Sequence, residues 1–284
     1  MRQAYFAELA DKIIGIATQH EIAVVIDQTG GTREGELAVL SGERLRLTDG
    51  VLFSPESLGQ EDVDLLNVDF PLVLLGERMF GGPTDHVTMH NVGSARAATE
   101  HLIGIGRHRI AVIGAHPQSH DDIRSANLRI RGYREAIEAA GLPYDPLLGR
   151  SGVPWHRENG AIAMRDLIAA GLPFDAVFSL TDTLGLGALR ALGEAHLRVP
   201  EDVAVIGFDN IDEGRFSLPS LSSVEPGRDQ IAHTAVEMLQ RIRENGDRIP
   251  PRQVRADYRI VERESTGLSH ADVAATGAVS VESL

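Results

Sequence analysis

Residues 199–210 read VPEDVAVIGFDN, and this stretch decides the fold. Its centre, residues 203–208, is a continuous apolar run of the kind that forms a strand buried on both faces of a parallel sheet. Asp209 follows where that strand should end, and ligands of open parallel sheets bind in the crevice at the carboxyl ends of the strands. The stretch therefore predicts a core strand with a candidate binding residue at its end.

Similar apolar runs recur along the chain and alternate with amphipathic stretches. The other runs are residues 22–26, 50–53, 72–75, 110–113 and 176–178. Between them, apolar residues repeat at three- and four-residue steps, and one such helix should start at an Asn91 N-cap and stop at Gly106. This order predicts an α/β fold of two doubly wound parallel-sheet lobes, because there are more strand–helix units than one compact sheet normally carries.

The lobe boundary is predicted in residues 114–122, which are rich in Gly, His, Pro, Ser and Asp. The predicted N-terminal lobe comprises residues 1–115 and 225–250, and the C-terminal lobe comprises residues 116–224 and 251–266. Residues 267–284 are small and polar, which predicts a disordered tail.

Composition limits where the protein works. The 284 residues are 43% hydrophobic and 24% charged, the range of ordinary globular proteins. No apolar run is long enough to span a membrane, and the first residues lack the features of a secretory signal, so a cytoplasmic protein without membrane contact is expected. The chain contains no cysteine, which excludes disulfides, thiolate metal sites and cysteine nucleophiles.

The net charge of −14 bears on nucleic-acid binding. A surface of this sign repels the phosphate backbone, whose neutralisation supplies most non-specific affinity for DNA. The chain by itself is therefore not expected to hold DNA.

Enzyme motifs are missing from the sequence. It has neither a Gly-x-Ser-x-Gly elbow nor a Walker loop. His116 and His120 have a spacing that could ligate a metal, but Pro117 disfavours a regular helix with both on one face. A solvated loop is the favoured interpretation, so the sequence predicts no enzyme, no metal site and no cofactor.

Polar groups follow three of the predicted strands, and each has a structural alternative. Besides Asp209, they are Thr181 with Asp182 and Glu77 with Arg78. Asp182 precedes a helical stripe, so capping the helix and binding a ligand are equally favoured. Asp209 precedes an irregular stretch, which favours binding.

Four further residues have the chemistry of a sugar or base site. Trp155 is the only tryptophan and stands at a loop–helix boundary, where its face could pack on a sugar or a base, although core or interface is the usual place for such a residue. Tyr5 and Phe6 open the first helix. Arg129 offers a bidentate fork for paired hydroxyls or a carboxylate.

Several segments, taken in order, resemble those of one family. Residues 199–210 followed by PSLSSV at 219–224 look like the signature of the effector-binding domain of the LacI/GalR repressors. Matching segments are residues 49–52, 91–114, 129–133 and 261–266. Together they cover almost the whole chain.

The resemblance implies a periplasmic-binding-protein-like fold, with two lobes joined by three crossovers and a small effector between them. It also implies a homodimer. The effector contacts that it implies, together with the strand-end candidates, are Tyr5, Phe6, Arg129, Trp155, Thr181, Asp182 and Asp209.

The sequence departs from the family pattern at Thr181, where many members have asparagine, and at His90, where aspartate is usual. A sugar suits the predicted contacts, and an acidic sugar derivative or a nucleobase stays open.

Family members carry a helix-turn-helix headpiece, a hinge helix and a first strand ahead of the first helix. The given sequence starts at that helix, so operator DNA is expected to be bound only through a headpiece outside it. Lack of the first strand is expected to leave two strand edges of the N-terminal sheet unpaired.

The sequence thus predicts the effector-binding and dimerisation core of a ligand-responsive transcriptional regulator. The alternatives are a sugar-binding protein of a transporter and, less favoured, a doubly wound enzyme such as a sugar-processing hydrolase.

Overall fold

The structure is a computed structural model that describes residues 4–42, 48–114, 125–245 and 250–267. The predicted tail lies outside these ranges except for Gly267, and so do His116 and His120.

Helices and strands alternate along the described chain. The helices are α1 (Ala4–Gln19), α2 (Arg33–Leu40), α3 (Asn91–Gly104), α4 (Ser125–Ala139), α5 (Arg157–Ala169), α6 (Asp182–Glu194), α7 (Asp212–Arg215) and α8 (Arg228–Asn245). The strands are β1 (Val51–Phe53), β2 (Leu72–Leu75), β3 (Asp85–Thr88), β4 (Ile110–Ile113), β5 (Gly149–Arg150), β6 (Ala176–Ser179), β7 (Ala204–Phe208), β8 (Ser222–Glu225), β9 (Gln253–Arg255) and β10 (Arg259–Val261). Short 3-10 turns cover Gln60–Leu66, Pro146–Leu148 and Glu264–Thr266.

The first sheet is parallel throughout and has the strand order β1-β2-β3-β9. Helices α1 and α8 pack on one face, where Leu9 and Ala235 join Val73 in a buried cluster. A second cluster, containing Phe53 and Leu74, includes residues of α2 and of the first 3-10 turn. Because helices or turns cover both faces, β1 and β2 are apolar without alternation, whereas β3 and β9 carry polar residues.

The second sheet has the order β10-β8-β7-β6-β4-β5 and is parallel except for β10. One buried cluster joins α3 and α4 to the sheet, and another joins α5 and α6 to it. The α/β prediction of two doubly wound lobes is confirmed. The predicted runs at 50–53, 72–75, 110–113, 176–178 and 203–208 form β1, β2, β4, β6 and β7.

The chain crosses between the sheets three times, but not where the sequence placed the lobe boundary. It crosses after β3, after β8 and between β9 and β10. Helix α3 and strand β4 therefore belong with the second sheet, so the assignment of residues 1–115 to the N-terminal lobe is wrong for 91–114. Likewise, β9 pairs in the first sheet although residues 251–266 were assigned to the C-terminal lobe. The first crossing consists only of Met89 and His90. Two residues are too few to give the Gly- and Pro-rich composition by which a boundary is recognised in a sequence.

Residues 22–26, predicted to form a buried strand, form neither a strand nor a helix. Val25 is 74% exposed, and Val24 and Ile26 are also exposed. The sheet ends at β1, and no described strand lies beyond it to pair with this stretch. An apolar run without a neighbouring strand cannot satisfy its backbone groups in a sheet, which explains the difference.

Helices α5 and α6 approach each other through glycines. A Cβ placed on Gly187 would lie 2.0 Å from the Arg157 carbonyl oxygen, and one on Gly160 would lie 2.3 Å from that of Leu184. Gly193, in the same helix as Gly187, has open space at the Cβ position. The packing of these two helices therefore depends on Gly160 and Gly187.

We predict that Gly187→Ala lowers the free energy of unfolding by roughly 2 kcal/mol or more, because the methyl group must push two helix backbones apart. The matched control Gly193→Ala should raise it by roughly 0.5–1 kcal/mol, since alanine favours an open helical site. Urea unfolding followed by circular dichroism measures both. Equal effects of the two substitutions would contradict the close contact.

Candidate functional site

The candidate site lies where the two sheets face each other, and a buried arginine is at its centre. Arg129, on α4, is only 3% exposed. Its Nε donates to Asn91 Oδ1 at 2.8 Å, and its Nη1 donates to the Leu180 carbonyl oxygen. Nη1 also lies 3.6 Å from Asp209 Oδ1. Burial lowers the pKa of Arg129, and the charges of Asp209 and Glu77 oppose that shift.

Asp209 follows β7, as predicted, and is 6% exposed. Its φ of +107° and the φ of +50° at Asn210 are unusual for residues other than glycine, and such strain is typical of functional loops. The Asp209 N–H donates to the Val224 carbonyl, and the Asn210 N–H donates to Ser223 Oγ, so the loop is held against β8. Burial raises the pKa of Asp209 to about 7, although the positive charges of Arg129 and Arg228 act against it.

Aromatic rings surround the Arg129 guanidinium. Its carbon lies 3.5 Å from the Phe208 ring centroid and 5.9 Å from that of Trp155. Trp155 is half-buried, and its indole N–H donates to the Gly114 carbonyl at 2.8 Å.

Tyr5 brings the first lobe to the same place. It is 7% exposed, and burial, followed by the charges of Asp209 and Glu77, raises its pKa well above the usual value. Phe6 packs edge-on against Tyr5, with centroids 5.4 Å apart. The structure therefore brings Tyr5, Trp155 and Asp209 around Arg129, with Phe6 next to Tyr5.

Two predicted effector contacts use their side chains within the protein. Thr181 is the N-cap of α6, and its Oγ1 accepts a hydrogen bond from the Leu184 N–H. Asp182 is fully buried, and its carboxylate accepts hydrogen bonds from Ser223 Oγ at 2.6 Å and from the Ile211 N–H at 2.9 Å. The cap is thus Thr181, and Asp182 instead ties α6 to β8 and to the loop after β7. Both side chains are therefore engaged within the protein, and their contact with an effector stays a prediction.

Two residues outside the predicted contact set also line the site. Glu77 follows β2, is 8% exposed, and accepts a hydrogen bond from the Met89 N–H at 2.8 Å. Burial raises its pKa, and the Met89 N–H and the charge of Arg129 oppose the shift. Asn91, predicted as an N-cap, is the first residue of α3 after the His90 cap, and it accepts from Arg129. For Glu77, its position directly after a predicted strand was the feature of the sequence that pointed to the site.

A polar bridge joins the lobes beside this cluster. Glu8, on α1, accepts a hydrogen bond from the Asp212 N–H at 2.9 Å and forms an ion pair with Arg228. Arg228, at the start of α8, donates to the Asn210 carbonyl at 2.9 Å and pairs with Glu225. First-lobe side chains therefore hold the loop that carries Asp209.

The described residues contain no group of three or more His, Asp or Glu side chains arranged to hold a metal ion. Among the helices described, none is both long and apolar enough to cross a membrane.

Comparisons with known proteins agree with this geometry. The family described as a periplasmic binding protein-like domain matches residues 99–266. The transcriptional regulator CelR of Thermobifida fusca is 37% identical over 194 residues, which cover 67% of this chain and 55% of CelR. The chain therefore spans little more than half the length of this relative.

Two solved structures have the same fold over most of the chain. A LacI-family protein from Sanguibacter keddieii is 48% identical with a TM-score of 0.86, and the match covers 93% of this chain and 94% of that one. The complex of CelR with cellobiose is 29% identical with a TM-score of 0.77, covering 93% of this chain and 80% of that one.

The two facing sheets and the site between them define a periplasmic binding protein-like domain. Within that class, the chain belongs to the LacI family of transcriptional regulators. This family is not enzymatic, and the relatives are regulators rather than transport receptors, so both alternatives considered for the sequence are set aside.

The raised pKa of Asp209 predicts how stability depends on pH. The folded-state pKa of about 7 exceeds the ordinary value of 3.8, so the folded chain binds a proton that the unfolded chain releases. The stabilisation is complete below about pH 4 and is lost as pH rises to about 7. The groups acting on this carboxyl are Arg129, Arg228, Glu225 and Glu8.

We therefore expect the unfolding free energy of the wild-type chain, relative to Asp209→Asn, to fall by roughly 2–4 kcal/mol between pH 4 and 7 and to level off above. The substitution also removes the packing and hydrogen-bonding contacts of the side chain. That loss is the same at every pH, so it does not change how the difference in unfolding free energy varies with pH. Urea unfolding across this pH range measures it. A pH-independent difference would show that Asp209 is ionised at all these pH values.

Proposed function

We propose that this chain is the effector-binding and dimerisation core of a ligand-responsive transcriptional regulator, and that a small sugar or sugar-like molecule binds between its lobes. The observation that carries the proposal is the buried Arg129–Asp209 pair, with the Phe208 and Trp155 rings beside Arg129. Tyr5, from the first lobe, is near enough for the charges of both residues to act on its phenol. Carboxylates and guanidinium groups bind hydroxyls, while aromatic faces pack on the apolar face of a sugar ring. The relative CelR has been solved with cellobiose, which supports a sugar effector here.

The proposed effector contacts are Asp209 and Arg129 for polar groups, and Tyr5, Phe6 and Trp155 for the apolar face. Thr181 and Asp182 are proposed to act indirectly, because their side chains fix the start of α6 and the loop carrying Asp209.

Effector binding would favour the closed arrangement of the lobes. The Glu8 and Arg228 contacts already join the first lobe to the Asp209 loop. An effector contacting both lobes adds to these contacts, and it can shift the equilibrium only by its difference in affinity for the closed and open states. Operator DNA would be bound through a headpiece outside this sequence, because the chain's charge of −14 opposes direct binding. We also propose a cytoplasmic location, because the chain belongs to a family of transcriptional regulators.

We expect one class of compound, from a panel of sugars, sugar phosphates, sugar acids and purines, to raise the melting midpoint of this chain. A ligand that binds only the folded state stabilises it by mass action. Differential scanning fluorimetry measures the midpoint.

Asp209→Ala should lose the ligand-induced rise, whereas Asp229→Ala, which changes an exposed acid on α8, should retain it. An Asp209→Ala variant that binds as well as its parent would show that the pocket is elsewhere. A wild-type chain that responds to no compound would contradict the proposed sugar effector.

The proposed homodimer has a suitable surface on the second lobe. Phe216 and Leu218 are 77% and 88% exposed, and Leu218 lies beside Leu186 and Leu189 of α6. Leu218 and the α6 leucines line a groove of about 500 Å³. Arg190 and Glu194 border it with opposite charges, as a two-fold interface in which each copy contacts the same surface requires.

We predict that Phe216→Ser combined with Leu218→Ser weakens dimerisation at least about 100-fold, because two large apolar side chains per copy lose their burial. Leu147→Ser, at a residue 61% exposed elsewhere, is the matched control and should leave the dimer intact. Sedimentation velocity over a range of concentrations measures the dissociation constant. Unchanged dimerisation in the double variant would place the interface on another face.

A further inference from the structure

Nε and Nη1 of Arg129 are already paired, so only Nη2 is left to donate to an effector hydroxyl and an anion finds no open fork. Nε and Nη1 donate to Asn91 and Leu180, Nη1 also faces Asp209, and Nη2 lies 3.6 Å from Met89 Sδ. An anionic group on a ligand needs donors that are not already paired. The sequence-based expectation of a bidentate site for a carboxylate at Arg129 is therefore not met by this geometry.

The other buried arginine at the site is also occupied. Arg228 is 6% exposed and pairs with Glu8 and Glu225, and it donates to the Asn210 carbonyl. The acids Asp209 and Glu77 are both buried and both act on the Tyr5 phenol. Both arginines are thus already paired with acids of the protein, so neither offers an unpaired charge to a ligand anion.

A buried donor next to Glu77 has no acceptor at ordinary hydrogen-bond distance and angle. Asn91 is 3% exposed, and its Nδ2 makes no hydrogen bond of ordinary geometry in the described structure. Only a long, weak hydrogen-bonding contact links it to the Glu77 carboxyl, whose pKa it lowers. A buried donor without an acceptor is unfavourable, and its presence beside a buried carboxylate indicates a position that a ligand atom completes.

The chemistry of these two groups selects the ligand atom. Asn91 Nδ2 can only donate, and the Glu77 carboxylate, when ionised, can only accept. A hydroxyl can accept from Asn91 and donate to Glu77 at once. A carboxylate or phosphate oxygen can only accept, so it cannot donate to the ionised Glu77 carboxylate and would place two like charges together.

We propose that Glu77 and Asn91 form a hydroxyl-recognising pair, which admits an uncharged sugar to the site and rejects the corresponding sugar acid or sugar phosphate. This inference rests on the proposed function of the same site and adds the charge class of its effector. Glu77 acts here as a specificity-determining residue contributed by the first lobe.

The test compares affinities within matched pairs of probes. Isothermal titration calorimetry measures binding of glucose against glucuronate and glucose 6-phosphate, and of cellobiose against cellobiuronic acid. The wild-type chain should bind the neutral member of a pair at least about 100-fold more tightly than the anionic one. Glu77→Gln keeps the size and removes the charge, so it should reduce this preference about 10- to 100-fold, as expected for a hydrogen bond to a buried charged group.

Two further variants separate charge from stability. Glu77→Asp keeps the charge but shortens the side chain, so it should weaken binding of the neutral sugar while still rejecting the anion. Glu34→Gln, at an exposed acid of the same lobe, should change neither affinity. Because the readout is a ratio of affinities, a variant that is merely less stable does not imitate the predicted result.

The outcomes distinguish this inference from the proposed function. A wild-type chain that binds an anionic sugar as tightly as its neutral counterpart would leave the sugar-responsive function standing and overturn the selectivity. Unchanged selectivity in Glu77→Gln would overturn the role of Glu77. Binding of none of these sugars would remove the proposed sugar effector, and this inference with it.

Discussion

The structure of the site depends on keeping one guanidinium out of water. A buried cation is stable only where its donors are paired, and Arg129 finds those partners in Asn91, Leu180 and Asp209. These groups stand at the start of α3 and after β6 and β7, while Arg129 itself is on α4. Pairing this one side chain therefore fixes two helices and two strand ends at a single point, and the ring of Phe208 packs against its face.

Both lobes contribute charged side chains to the site. The second lobe supplies Arg129 with Asp209, and the first supplies Glu77 and, beside them, Glu8. Bringing the lobes together places these charges in a region poor in water, where both attraction and repulsion are strong. In the function proposed above, a ligand acts on closure by changing how well these buried charges are paired.

Elements built from local apolar sequence were predictable, and those held by distant polar partners were not. Strand β7 was recognisable from the continuous apolar run at residues 203–208, and Asp209 was recognisable from its place after that run. Strand β8, by contrast, begins with Ser222 and Ser223, whose hydroxyls bond to groups about forty residues away, including Asp182. No local pattern reveals such a partner, which is also why Asp182 was taken for an effector contact.

The carboxylates of this chain show how a structural acid differs from a binding one. Glu36, fully buried, accepts backbone hydrogen bonds from residues 56–58, and hydrogen bonding to Arg33 lowers the pKa of Asp62. Asp182 is buried with both oxygens accepting. Burial raises the pKa of Asp182, Glu77 and Asp209 alike, so these three acids differ in their partners. Glu77 accepts from the Met89 N–H through one oxygen, and Asp209 lies 3.6 Å from Arg129.

An acid in that condition is stabilised by any added donor. Hydroxyl groups supply such donors without bringing charge. Asp182 already has both oxygens paired within the protein, so Glu77 and Asp209 are the acids that we propose to contact an effector.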